Sequence, residues 1–204
     1  DTIDLDYSFI ESQIEGVAES FNLVGSTWGF RTSSDEFINV EGGTWGSVVD
    51  LEAELNFLKD SFSSCESLEI REPIYSVSRG AIGETYIEVS IDNQHVWHYV
   101  DGNLCCESDC VTGRQGRNDT PHGVYYIIDM VDDKNLRGAD YVTWVDKWMR
   151  ITDRGHGLHD ASWRGKFGGN IYTYDGSHGC INLPKKYAYS IFDEVTTGIP
   201  VVIY

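Results

Sequence analysis

A chain of 204 residues, 41% hydrophobic and with 21 glycines, holds enough apolar mass for one large or two small domains with a real core. Its formal net charge of −18 repels phosphate backbones, which sets nucleic acid aside as a partner. No window approaches 18 apolar residues, so no helix of this chain is expected to cross a membrane.

The charge is uneven. Residues 1–72 carry 16 acidic and 3 basic residues, a net of −13, and the remainder 17 and 12, a net of −5. A solvated acidic face is the plain reading; attraction of cationic ligands or calcium is the alternative. The opening "DTIDLDY" lacks a methionine, which reads as a truncated or processed start with any targeting segment upstream.

The first region reads as mixed α/β. Ile10, Ile14, Val17 and Phe21 recur at the spacing of one helical face. "SVVDLEAELNFLKDSF" repeats the pattern with Leu51, Leu55, Leu58 and Phe62, and either Ser47 or Asp50 serves as its cap. A helix packed on a small sheet accounts for these leucines. The pattern breaks around "SSCESLEIREPIYS", and a boundary is expected between 75 and 83. We place the domains at 1–78 and 79–204.

From Thr85 the period becomes two. "TYIEVSI" sets Ile87, Val89 and Ile91 against Tyr86, Glu88 and Ser90. "HVWHYV" follows, and Asp101-Gly102 reads as a two-residue hairpin turn. Further short strands are expected at "VYYIIDM", "YVTWV", "WMRIT" and "IPVVIY". One helix fits this half, "PKKYAYSIFDEV", with Pro184 in its first turn and Gly198 past its end. The expectation is a mainly β, sandwich- or barrel-like domain with one C-terminal helix.

Five cysteines, Cys65, Cys105, Cys106, Cys110 and Cys180, cannot all pair within the chain. The first four read mostly as small, buried, reduced side chains, since a bond between the neighbours Cys105 and Cys106 is strained. Cys180 stands apart in "DGSHGCINLP". Gly179 permits a tight turn that aims backbone N–H groups beside the sulfur, as acyl transfer requires. On an extended chain His178 points to the same side as Cys180, which nominates it as base. His156 and His159 in "GHGLHDASW", turn-like in composition, compete from another loop, and spacing does not decide between them. The same His156, His159, His178 and Cys180 are also zinc-ligand types, so a structural zinc is a rival reading.

"SHGCIN" preceded by "GLHDASW" and a glycine-rich spacer resembles the signature of L,D-transpeptidases with a YkuD-type catalytic domain. "VSIDNQHVWHYVDGN" and "VTGRQGRNDTPHGVYYI" are similar to the family's early strands and its "VTG…TP.G" segment. "INVEGGTWGSVVDLEAE" and "REPIY" resemble a peptidoglycan-binding domain that precedes the catalytic one, so that 1–78 holds the C-terminal part of such a domain. The 21 positions from His159 to Cys180 resemble the Gram-positive branch. Asn182 stands where other branches carry arginine.

The resemblance implies a cysteine acyltransferase of the cell wall. Cys180 is then the nucleophile and His159 the general base, oriented through a backbone carbonyl near Asp160; this overrides His178. His178 and Gly179, with Cys180, frame the oxyanion site, and Ser177 and Asn182 hold the loop. The long spacer "RGKFGGNIYTYDG" is expected to form a lid or a wall over the donor, and Trp163 and Tyr174 are candidates for lining it. The implied reaction is thioester formation with a donor tetrapeptide stem, release of the terminal D-amino acid, and transfer to an acceptor stem amine, giving a 3-3 cross-link between diaminopimelate-type residues. Carbapenem-type β-lactams are the implied covalent inhibitors, with no cofactor or metal. The location implied is extracellular, at the wall, any membrane anchor lying outside this sequence. Hydrolysis of the same bond by an L,D-carboxypeptidase, and a non-catalytic, zinc-stabilised wall-binding module, are the alternatives.

Overall fold

The computed structural model describes residues 7–64, 69–138 and 142–204. The elements run α1 (Ser8–Phe21), β1 (Thr27–Arg31), β2 (Phe37–Glu41), β3 (Val48–Val49), α2 (Leu51–Ser64), β4 (Tyr75–Val77), β5 (Tyr86–Ser90), β6 (His95–Val100) and β7 (Asn103–Asp109). They continue as β8 (Gly123–Tyr126), β9 (Asp129–Arg137), β10 (Val142–Arg150), β11 (Gly157–Asp160), α3 (Ile171–Asp175), β12 (Ile181–Leu183), α4 (Lys185–Glu194) and β13 (Pro200–Ile203). The chain divides into two compact units, Asp1–Val24 with Trp45–Ala81, and Gly25–Thr44 with Ile82–Tyr204. The residues of the β1–β2 hairpin cluster with the second unit. Among the described residues, no helix is long and apolar enough to cross a membrane.

In the first unit, α1 packs on α2 beside the antiparallel pair β3–β4. Asp50 caps α2, its carboxylate accepting the Ala53 N–H at 3.0 Å. Ser47, the other candidate, instead exchanges hydrogen bonds with the backbone of Arg79. Both helices form as their apolar spacing predicts, but Val17, Phe21, Leu51 and Phe62 stay exposed.

The second unit packs two sheets face to face. One has the order β7-β6-β5-β13-β8, the other β12-β11-β10-β9. Pairing is antiparallel except for β5–β13 and β11–β12, which are parallel. Ile87, Val89, Val201 and Ile203 of the first sheet meet Met149, Leu158, Ile181 and Leu183 of the second, with Ala188 and Ile191 of α4 in the same core. Each such aliphatic side chain contributes about 1.5–3 kcal/mol by leaving water. Asp101 and Gly102 both take positive φ, 49° and 75°, as a type I′ turn between β6 and β7 demands.

Four expectations need correction. "YVTWV" and "WMRIT" are not two strands: Val142–Arg150 is continuous, paired with β9 on one side and β11 on the other (Tyr141 lies outside the described residues). Glu88 does not face solvent. It is fully buried and accepts hydrogen bonds from the backbone and hydroxyl of Ser33 and from Tyr204, so the β1–β2 connection covers the face expected to be wet. The second unit carries a short helix, α3, inside the spacer, besides α4. Cys105 is exposed and Cys106 half-buried, and only Cys110 of that group is deeply buried; Cys65 lies outside the described residues.

Candidate active site

Register brings the site together. Parallel pairing sets His159 opposite Asn182 and Leu158 opposite Ile181, and antiparallel pairing sets Trp148 opposite His159. Side chains alternate along each strand. With Leu158 and Ile181 turned into the core, Trp148, His159, Asn182 and Cys180 project from the other face. His159 therefore sits on a strand rather than in the loop its glycine-rich neighbourhood suggested.

Cys180 is 8% exposed and packs with Val145 and Trp148. Its thiol reaches toward the Gly155 carbonyl at 3.7 Å. Burial pushes the thiol up to about 11, and a hydrogen bond from the Gly157 N–H partly offsets this. At neutral pH the sulfur is thus a protonated thiol that needs a base. Gly157 is required here: a Cβ would stand 2.4 Å from the Met149 carbonyl and 2.8 Å from the Trp148 ring.

His159 is 3% exposed and lies between two indoles, with ring centroids 5.8 Å from Trp148 and 5.9 Å from Trp163. Burial holds its pKa below the ordinary imidazole value; the hydrogen bond to Asp160 works against this, and the Arg164 cation works with it. Nδ1 stands 2.8 Å from the Asp160 carbonyl. A carbonyl only accepts, so the proton belongs to Nδ1 and the Nε2 lone pair is left for another partner. The Asp160 carboxylate is used elsewhere, accepting the N–H groups of Asp146 and Lys147 at 2.8 Å each.

The approach to Cys180 is a tied loop. Ser177 donates its hydroxyl to the Cys180 carbonyl at 2.5 Å and accepts the Gly179 N–H at 3.0 Å. Thr120 accepts the Gly113 N–H and donates to the Gly179 carbonyl, both at 2.9 Å, joining the "VTG…TP.G" segment to this loop. Gly179 has φ 108°, and a Cβ there would lie 2.7 Å from the His156 ring. This bend breaks the extended geometry on which His178 was nominated as base, and His178 is exposed where Cys180 is buried. Asn182 pairs through its backbone with Val111; among the described residues its buried Oδ1 has no hydrogen-bond partner.

A cavity of about 240 Å³ gathers His159, Cys180, His178, Ser177, Asn182 and Trp163, with Arg164, Asp175, Leu136 and Thr143. Cys180 also borders a second cavity, of about 400 Å³, on the side of Trp148, Gly155, Arg137 and Arg150. Tyr174 lines neither; it belongs to an adjoining depression with Trp163 and Lys166. The wall supplied by the spacer is fixed by Arg164, which pairs with Asp175 at 3.0 Å. Sequence reasoning named no role for Arg164, Thr120 or Gly157, although each lies in a quoted segment: the spacer, the "TP.G" motif and "GLHDASW". The His156, His159, His178 and Cys180 set does not converge as ligands: among the described residues the trio of metal-ligand type whose donor atoms come together is a different one.

A buried thiol and a neutral imidazole lining one cavity are the equipment of a cysteine acyl-transfer enzyme. The model of the L,D-transpeptidase catalytic domain matches residues 84–203. No curated protein sequence matches the chain. Among solved structures, an Enterococcus faecium L,D-transpeptidase carrying a cysteine-to-serine mutation is 30% identical, with a TM-score of 0.84 over 100% of this chain and 84% of that one. The Ldtfm-avibactam carbamoyl enzyme is equally similar, covering 100% of this chain and 82% of its own. The isolated catalytic domain of the E. faecium enzyme is 38% identical over 61% of this chain and all of its own, with a TM-score of 0.56. The chain belongs to the L,D-transpeptidase family of peptidoglycan acyltransferases.

Proposed function

We propose that Cys180 is the nucleophile and His159 the general base of peptidoglycan L,D-transpeptidation. The observation that supports this most directly is the Nδ1 hydrogen bond from His159 to the Asp160 carbonyl, which leaves Nε2 as an acceptor in the cavity that holds the Cys180 sulfur. Nε2 takes the thiol proton as the sulfur attacks the carbonyl carbon before the terminal D-residue of a donor tetrapeptide. The C–N bond then breaks, the departing amine takes that proton, and a thioester remains. An acceptor stem amine attacks the thioester, gives its proton to His159, and restores the thiol as the 3-3 cross-link forms.

Backbone N–H groups framed by His178, Gly179 and Cys180 are assigned to the developing oxyanion, with the Gly179 N–H held by Ser177 in the resting loop. Trp163 lines the donor side and Arg164 with Asp175 walls it; Tyr174 lies further out. Two cavities that meet at one sulfur suit a reaction with two substrates better than hydrolysis, which needs only one. The first unit, with its apolar groove between α1 and α2, is assigned to the C-terminal part of a wall-binding domain, the catalytic domain beginning near residue 79. The enzyme acts on the outer side of the membrane, where its polymer lies.

Related L,D-transpeptidases form adducts with ertapenem and with faropenem, and the same chemistry is proposed here. Intact mass of the wild-type chain and of Cys180→Ala after incubation with a carbapenem tests the nucleophile. An adduct on the wild type alone is expected; an adduct on both proteins, or on neither, overturns the assignment.

A further inference from the structure

A second cluster of reactive side chains lies on the other sheet. His98 of β6, Cys105 of β7 and Glu194, the last residue of α4, each present a donor atom, and the three atoms lie within 4.8 Å of one another. His98 is 1% exposed, yet among the described residues neither Nδ1 nor Nε2 has a hydrogen-bond partner. Buried imidazoles ordinarily engage their nitrogens, and an orphaned pair calls for a ligand.

The backbone is shaped for the same end. His98 pairs with Cys106 and Tyr99 with Leu104, so Cys105 is the extra residue of a β-bulge. In a regular strand Cys105 and Cys106 would point to opposite faces. A bulge re-aims the added side chain, and here it brings the Cys105 sulfur to the His98 side.

We propose that His98, Cys105 and Glu194 bind a divalent metal of the zinc class, with a water completing the tetrahedron. Imidazole, thiolate and carboxylate together suit zinc rather than magnesium or calcium, which take oxygen ligands. A tetrahedral zinc with bonds of about 2.0–2.3 Å holds its ligands roughly 3.3–3.8 Å apart, so small rotations of the exposed Cys105 and Glu194 side chains close the site. The Cys105 thiol gives its proton to solvent as the metal–sulfur bond forms. The metal would pin the end of α4 to β6 and β7. It lies outside the catalytic machinery, and the inference does not depend on the roles of Cys180 and His159.

The test uses the full chain with Cys180→Ala, reduced and stripped by a chelator, then titrated with zinc chloride and with cobalt chloride. One equivalent of zinc is expected, with a thiolate-to-cobalt charge-transfer band on cobalt substitution and a higher thermal midpoint with zinc. Cys105→Ser and Glu194→Gln, both at exposed positions, should each weaken binding at least tenfold. Absence of stoichiometric binding, a cobalt spectrum without the sulfur band, or affinity unchanged in both variants overturns the proposal.

Discussion

His159 gives its Nδ1 proton to the backbone carbonyl of Asp160, 2.8 Å away, while the carboxylate of the same residue is committed to the N–H groups of Asp146 and Lys147. The proposed base is thus oriented by main chain that β-pairing fixes, not by an acidic side chain. Asp160→Asn keeps an oxygen for both N–H groups and leaves the carbonyl untouched. Carbapenem acylation of this variant should stay within about tenfold of wild type, with a stability loss of about 1–3 kcal/mol for the weakened buried hydrogen bonds. His159→Ala should abolish acylation, whereas His178→Ala should only reduce it. Acylation rates by mass spectrometry, with chemical denaturation, check all three.

The rate should also carry the signature of a neutral pair. Burial lowers His159 and raises the Cys180 thiol to about 11, so a thiolate–imidazolium pair is not the resting state. Acylation should fall as pH drops through a value below the ordinary 6.5 of imidazole, where the base becomes charged, and hold a plateau through neutral pH. Alkylation of Cys180 by iodoacetamide, which needs thiolate, should keep rising toward pH 11. Arg164 is one of the influences holding His159 down, so Arg164→Gln should move the acid limb upward. A limb unchanged or moved downward would contradict this electrostatic link.

Stability should follow the histidines as well. His156 is lowered by burial and then by Arg154, and His159 by burial. A group whose folded pKa is depressed contributes stability that is full above its unfolded value and lost as pH falls toward the folded one. The window therefore opens below pH 6.5, with a slope of up to about 1.4 kcal/mol per pH unit for each group. Urea midpoints between pH 7.5 and 5 should decline on acidification, and less steeply in the His156→Asn, His159→Asn double variant.

Much of the site was legible because its chemistry is local in sequence. "SHGC" and "GLHD" each carry their proposed reacting group within four residues, and the Asp101-Gly102 turn specifies its own conformation. What was not legible depends on pairing. Strand β11 is only four residues long and reads as a loop until β10 and β12 are placed on either side of it. Glu88 looks exposed by alternation, because the residue that buries it, Ser33, is 55 positions away. The bulge at Cys105 leaves no mark in an alternating pattern, since an extra residue is visible only against its partner strand. Arg164 meets Asp175 only after the spacer has folded back through α3.

Gly179 is where backbone shape and catalysis coincide. Its φ of 108° lies where side chains are strained, and a Cβ would stand 2.7 Å from the His156 ring. Gly179→Ala should cost about 2–4 kcal/mol from strain and overpacking together. It should also displace the Cys180 backbone, because the Gly179 N–H and carbonyl are the groups that Ser177 and Thr120 hold. Adding His156→Ala removes the clash but not the dihedral strain. The double variant should therefore regain part of the lost stability while its acylation rate stays depressed. Denaturation curves and acylation rates across the cycle separate the two contributions; full recovery of both would mean that space alone, and not the turn, requires glycine at this position.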